Sequence, residues 1–443
     1  METVSDRETI FARCAFLDVH KKTVEATVRL LQGQQVQAET RRWGTMTGQI
    51  QALAEWLETQ GVTHVGMEST GVFWKPIYNI LETRFTVVLT NPGHMKQVPG
   101  RKSDVRDSQW GAYLLQYGLL RGSFIPARWQ RELRDFTRYR AQLEAERTRV
   151  ANRLHKHLED ANIKLGSVAT DILGMSGRAM IKALMEGEQD AAQLADMAQG
   201  KLRTKLPELK LALEGKVTPH HRLMLRLLWK ELEAVEELMA EVDRQVQEVT
   251  RPYTPQIEQM DPVPGVDRRV AEVVLAEVGP NVDPFPSDQH LSSWAGMCPG
   301  NEESAGKRRT GRTTKGNRWL RAALVQAAWA ASHTKRSYLG AQYRRLAGRR
   351  GKKRALVAVG HSILVILYHL LKDGRPYSDL GRDFFDRMNH DRLIRYYSRR
   401  LAELSQKVTV EPLPEVIPGE GMVNVHPLAK AKGTTAGGIC NDP

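Results

Sequence analysis

The sequence predicts an α/β N-terminal domain, a helical coiled-coil middle and a mostly α-helical C-terminal domain. Three observations carry that reading. Strand and helix patterns alternate over residues 1–126. Apolar residues then recur at steps of three and four through residues 127–252, and apolar helical runs separated by basic loops fill residues 253–410. A chain of 443 residues is also too long for one ordinary core. Residues 411–443 are rich in Pro and Gly without periodicity and read as a disordered tail.

In order, Ala15–His20 is an apolar run ending in a polar turn, and Val24–Leu30 alternates with period two, so the pair reads as a hairpin. Gln35–Arg42 gives a third strand. Thr47 could cap a helix to about Thr59, with Ile50, Leu53, Ala54 and Leu57 on one face. The strand His64–Glu68, a helix Trp74–Thr83, the strand Thr86–Leu89 and a Pro/Gly loop Asn91–Gly100 follow. A helix from Asp104 to about Leu120 closes the domain.

Lys and Arg total 65 against 51 Asp and Glu, a net charge of +14. Such an excess points to a polyanionic partner, with nucleic acid first and an anionic membrane surface as the rival. No run of eighteen apolar residues and no signal-peptide pattern is present, so the expectation is a soluble, cytoplasmic protein. Cys14, Cys298 and Cys440 are too scattered for a disulfide framework or a zinc site.

The acids fall at telling places. Asp18 interrupts the apolar first strand, where an unpaired carboxylate costs several kcal/mol. Glu68 ends the fourth strand, where open α/β sheets present their sites. Asp104 and Asp107 lie three apart at a helix start, beside Arg101, Lys102 and Arg106. They could hold a divalent metal against a phosphate, or simply complement the helix dipole with Ser103 as N-cap. Four acids in this layout suit a two-metal nuclease, and Mg²⁺ prefers carboxylate oxygen ligands.

The strand order resembles the ribonuclease H-like fold of the Holliday-junction resolvase RuvC. The strings Phe16-Leu17-Asp18-Val19-His20-Lys21, Gly66-Met67-Glu68-Ser69-Thr70-Gly71 and Lys102-Ser103-Asp104-Val105-Arg106-Asp107 resemble the DEDD transposases of the insertion-sequence-110 family. The resemblance implies that Asp18, Glu68, Asp104 and Asp107 form the Mg²⁺-binding tetrad.

In the middle, Trp129–Leu165 reads as one long helix with Arg140, Arg147 and His157 interrupting its apolar seam. Leu225, Leu228, Leu232, Val235, Met239, Val242, Val246 and Val249 form a cleaner coiled-coil seam, whose partner is either the first helix or another subunit. His155, His157, His220 and His221 have no supporting ligands and read as non-metal histidines. In the C-terminal part, Pro264-Gly265-Val266-Asp267 precedes an apolar helix ended by Gly279, like half of a helix-hairpin-helix.

Between Lys307 and Arg318 stand six basic residues and no acid, spaced by small ones: Lys307, Arg308, Arg309, Arg312, Lys315 and Arg318. A backbone that can approach closely, with such charges around it, suits a DNA phosphate, as well as suiting a mobile basic loop. Ser304-Ala305-Gly306-Lys307 with Gly316-Asn317-Arg318-Trp319-Leu320-Arg321 resembles the transposase domain of the same family, which implies that Ser304 is a nucleophile. A serine needs an activating base or metal. The tetrad would have to reach it, in one chain or across subunits.

The resemblance implies a DNA transposase, or recombinase, that cuts and rejoins double-stranded DNA through a covalent phosphoserine. It also implies a structured guide RNA and assembly as a dimer or tetramer, acting at the nucleoid. A site-specific invertase of the same family is a close alternative. A RuvC-like endonuclease using water and an architectural DNA-binding protein with a decayed site are the rivals.

Overall fold

A computed structural model of the protein describes residues 9–69, 71–97, 107–299, 302–304, 307–310 and 313–406. The chain divides into two compact units at Pro126 and Ala127. Arg101, Lys102, Ser103, Asp104, Arg106, Arg312, Cys440 and the proposed tail 411–443 lie outside the described residues.

The first unit is a five-stranded mixed sheet. Strands β1 (Arg13–Val19), β2 (Thr23–Gln32) and β3 (Gln35–Gly44) are followed by α1 (Thr47–Thr59), β4 (His64–Glu68), α2 (Trp74–Leu81) and β5 (Thr86–Thr90). The order across the sheet is β3-β2-β1-β4-β5. The first three strands pair antiparallel; β4 joins β1, and β5 joins β4, in parallel. A short helix α3 (Pro92–Gln97) occupies what the sequence suggests is loop, and α4 (Asp107–Gln116) follows. Helix α4 stops before Leu120 because Gly118 is left-handed (φ +65°) and closes the end, with Leu119 N–H on the Leu114 carbonyl. The residue at the N-cap of α1 is Met46 rather than Thr47, and it makes no side-chain cap bond.

Period two divides the sheet's side chains between two layers. Ala15 and Leu17, with Val24, Ala26 and Val28, Val65 and Met67, pack against Ile50, Leu53 and Leu57 of α1 and Ile77 and Leu81 of α2. Phe16 points to the other face and packs with Trp110, Ala112 and Leu114 of α4. Asp18, Gly66 and Glu68 share the alternation of Phe16 and therefore belong to the α4 face.

Among its described residues the second unit is helical but for one hairpin. Its elements are α5 (Arg128–Asp160), α6 (Leu165–Val168), α7 (Met175–Glu186), α8 (Ala191–Asp196), α9 (Leu206–Leu213) and α10 (Pro219–Thr250). Then come α11 (Thr254–Met260), α12 (Arg268–Glu277), α13 (Asp288–Trp294), β6 (Glu302–Ser304) and β7 (Lys307–Thr310). Helices α14 (Arg318–Ser332), α15 (Tyr338–Arg350), α16 (Lys352–Asp373), α17 (Phe384–Met388) and α18 (His390–Glu403) complete it. The breaks follow from glycines: α7 ends at Gly187 (φ +118°), and α12 is closed by Gly279 (φ +111°).

Helices α5 and α10 run antiparallel within the chain. Leu225, Leu228 and Leu232 of α10 are buried in one core with Val150, Leu154 and Leu158 of α5. Arg140 pairs with Asp243, Arg147 with Glu236 (2.9 Å) and Arg153 with Glu231 (2.7 Å). The arginines that break the seam in the sequence are therefore its rungs. Burial raises the Glu236 pKa, but hydrogen bonds from Arg178 and Arg147 outweigh it and leave the carboxyl below its ordinary value. His221 is used in a cap: its ring accepts from the Thr218 N–H (3.2 Å), and its other nitrogen meets Asp160 (3.0 Å). Helix α16 is long and apolar enough to cross a membrane, but Ile363, Leu364, Leu367 and Tyr368 are buried inside the unit.

Candidate active site

Two strand ends set the site in the first unit. In the β1–β4 pair Leu17 stands beside Met67, so Asp18 and Glu68 are the next residues along, at the carboxyl ends of adjacent parallel strands. Their shared alternation puts both on the α4 face, and α4 opens with Asp107, which is exposed. Asp18 keeps 23 % of its side chain exposed and meets the His20 ring at 3.2 Å. Glu68 is half-buried. Three of the four predicted carboxylates thus belong to one end of one sheet face; Asp104 is the one outside the described residues.

What seats α4 on this face is a pair of glycines. A Cβ on Gly111 of α4 would overlap the Phe16 ring, and one on Gly66 of β4 would come within 2.5 Å of the same ring. Phe16 fills the space that both residues leave by having no side chain. Glycine inside a helix costs about 0.5–1 kcal/mol against alanine, and close packing is the reason it is tolerated here. Gly111→Ala is expected to lift α4 from the sheet and destabilise the first unit by about 1–3 kcal/mol, the usual range for overpacking. The further change Phe16→Leu should recover part of the loss. Paired denaturant melts of the single and double variants read both outcomes.

The sequence did not mark several further members of this face. Glu25 of β2 lies directly across from Asp18. Its carboxylate accepts a hydrogen bond from the buried Ser108 hydroxyl (2.8 Å), which in turn accepts from Thr27 (2.9 Å). Arg29 donates to Gln116 at 2.7 Å farther along the same interface. Glu25, Thr27 and Arg29 alternate in the sequence as an ordinary solvent face would, and only the coverage by α4 distinguishes them. Burial pushes the nearby Cys14 thiol up to about 12 despite the Arg29 charge, so it is inert at neutral pH.

A hard divalent cation takes carboxylate oxygens, and Asp18, Glu68 and Asp107 supply that chemistry. Among the described residues no three His, Cys, Asp or Glu side chains are gathered closely enough to hold an ion. The fit therefore rests on donor type and on the common sheet face.

In the second unit, β6 and β7 form an antiparallel hairpin in which Ser304 pairs with Lys307 and Glu303 with Arg308. Ser304 is the last residue of β6, so it stands where the hairpin turns. Arg309 lies in β7; Lys315 is exposed, and Arg318 begins α14 with its guanidinium 4.6 Å from the Trp319 ring. The Pro264-Gly265 turn is committed to packing: a Cβ on Gly265 would strike the Ala327 carbonyl of α14, and Asp267 caps α12 by accepting from Val270 N–H (2.9 Å).

The helices of this unit also hold a buried ionic cluster. Glu277 of α12, fully buried, accepts both guanidinium bonds of Arg138 (2.8 Å each) and lies 3.3 Å from Arg134. It also accepts from the Asn317 amide at 2.7 Å, while the Asn317 oxygen caps α14 through Trp319 and Leu320 N–H. Burial lowers the Arg134 pKa to about 10, with Glu277 opposing and Arg138 adding to the fall. The cluster ties α5, α12 and the start of α14 together.

A family model described as a transposase, of the DEDD IS110 type, matches residues 17–163. A second model, the transposase IS116/IS110/IS902 family, matches residues 258–344. Together they span more than half of the chain, the first containing Asp18, Glu68, Asp104 and Asp107 and the second Ser304. No curated protein matches the chain.

Proposed function

Since the chain belongs to the IS110 family of transposases and is thereby a DNA transposase, we propose that Ser304 is its nucleophile. The observation behind the metal half of this reading is the placement of Asp18 and Glu68 on adjacent strand ends, under a helix that begins with Asp107. These three, with Asp104, would hold Mg²⁺. When bound, that ion neutralises phosphate charge and lowers the pKa of an attacking hydroxyl. The sheet order β3-β2-β1-β4-β5 supports reading the first unit as RuvC-like, and the shared apolar core and cross-helix ion pairs of α5 and α10 support reading that pair as a coiled-coil arm.

In the proposed reaction the Ser304 oxygen loses its proton and bonds to phosphorus, and the 5′ or 3′ oxygen of the DNA strand leaves with a proton. The phosphoserine conserves the energy of the broken diester, so a second strand's hydroxyl can displace Ser304 and reseal the DNA. Lys307, Arg308, Arg309, Arg312, Lys315 and Arg318 would orient the backbone around that phosphate, with Arg101 and Lys102 beside the tetrad. A structured RNA guide and a tetramer working at the nucleoid complete the proposal; the excess of 65 cationic over 51 anionic residues suits two polyanionic partners.

Water attack by the same carboxylates is the competing chemistry. Ser304→Ala is expected to remove strand cleavage and joining together, while leaving DNA affinity near that of the unaltered protein. If Ser304→Ala cut a cognate duplex at the normal rate, the serine would have no chemical role and the enzyme would be a RuvC-like endonuclease.

A further inference from the structure

The net charge is not spread along the chain. Residues 335–406 carry seventeen Lys and Arg against six Asp and Glu, so eleven of the fourteen excess positive charges lie in this one segment. Most of it follows residue 344, where the second family match ends. The basic loop around Ser304 is not part of it.

The fold concentrates this charge further. Helices α15 and α18 and the segment around α17 enclose a cavity of about 730 Å³, lined by Arg344, Arg345, Arg349, Arg382 and Arg392. Among the described residues no carboxylate pairs with any of the five. The Arg345 guanidinium lies 5.2 Å from the Phe385 ring, and Arg344 donates to the Lys335 carbonyl at 3.3 Å. Two acids also line the cavity: Asp383, which is paired with Arg387 at 3.0 Å, and Asp386. Tyr396 stands at the wall with 47 % of its surface exposed.

Five guanidinium groups around one concavity repel each other, at a cost that a bound polyanion would remove. All five cations are arginine, whose planar fork matches two phosphate oxygens at once, which a lysine ammonium cannot do. The Phe385 ring is already stacked on Tyr338 and faced by Arg345, so the exposed Tyr396 ring is the flat surface offered to a sugar or an unpaired base. We propose that this arginine cavity is a second nucleic-acid site, which grips the phosphodiester backbone of DNA or RNA away from the reacting phosphate. The proposal rests on charge and cavity geometry, and not on the assignment of Ser304.

The test is equilibrium binding of the full-length protein to a labelled 30-base-pair duplex and, separately, to a labelled hairpin RNA, across a salt series. The variant Arg349→Ala/Arg382→Ala/Arg392→Ala removes three exposed charges. At ~0.1 M salt it is expected to bind at least about tenfold more weakly on one arm or both, with the log–log salt slope shallower by about 2–3, near one phosphate contact per charge. A loss on the RNA arm alone assigns an RNA backbone, and a loss on the duplex arm alone assigns DNA. The variant Arg13→Ala/Arg42→Ala/Lys75→Ala, with the same change of charge in the first unit, should keep its affinity. Unchanged binding by the cavity variant on both arms, or an equal loss in the control variant, would overturn the proposal. Ser304→Ala run beside them separates a failure of catalysis from a failure of binding.

Discussion

Asp18→Asn is expected to lower Mg²⁺-dependent strand cleavage by at least about 10²–10³-fold, the size of losing one preorganised electrostatic group. The exchange keeps the shape of the side chain. It also leaves an oxygen near His20, which now sits 3.2 Å from the carboxylate. Because Asp18 lies at a strand end with part of its surface in solvent, the melting temperature should move little. Activity would fall with the fold intact. A variant that is equally stable and equally active would remove Asp18 from the site, and with it the argument from adjacent strand ends.

Glu277→Ala is expected to cost the second unit about 3–5 kcal/mol, as when one partner of a buried ion pair is deleted. The reason is what remains behind. Arg134 and Arg138 would keep their charges without the carboxylate between them, and the Asn317 amide would lose its acceptor. Since Asn317 caps α14, the loss should extend to the start of that helix. Glu277→Gln keeps an acceptor and should cost less. Urea unfolding followed by tryptophan fluorescence suits the comparison, because Trp319 lies 6.0 Å from Arg138. Equal stability of the alanine variant and the parent would mean that the cluster is electrostatically neutral in its effect.

These two residues differ in how they could be read from the chain. Asp18 was visible because it breaks an apolar run, and a charge in such a place asks for a reason. Glu277 gave no such signal: one acid near the end of a helix resembles a surface residue, and its arginine partners are 139 and 143 positions away. Their spacing, Arg134 and Arg138, is only one turn of a charged helix. Glu25 and Ser108 were hidden for a related reason. A polar alternation shows which residues share a face, but not whether a helix covers that face.

Glycines mark a similar boundary of legibility. Gly118, Gly187 and Gly279 act locally, so their effect on helix ends follows from backbone conformation alone. Gly66 and Gly111 act on each other through Phe16, across a strand and a helix that the sequence does not bring together. In helix α15 arginine stands on several sides, which blurs the apolar stripe that identifies a helix, whereas α18 keeps a stripe of Leu393, Ile394, Tyr397 and Leu401. Composition shows that this region is basic, but not that it folds into a cavity.

A covalent bond between this chain and DNA is the central step of the proposed reaction, and peptide mapping of a trapped adduct tests that bond directly. A duplex carrying a bridging phosphorothiolate at the cleavage position would be reacted with the full-length protein and Mg²⁺, digested, and sequenced by mass spectrometry. The expected result is a nucleotide joined to the peptide that contains Ser304. Attachment at any other residue, or cut DNA with no peptide attached, would contradict it.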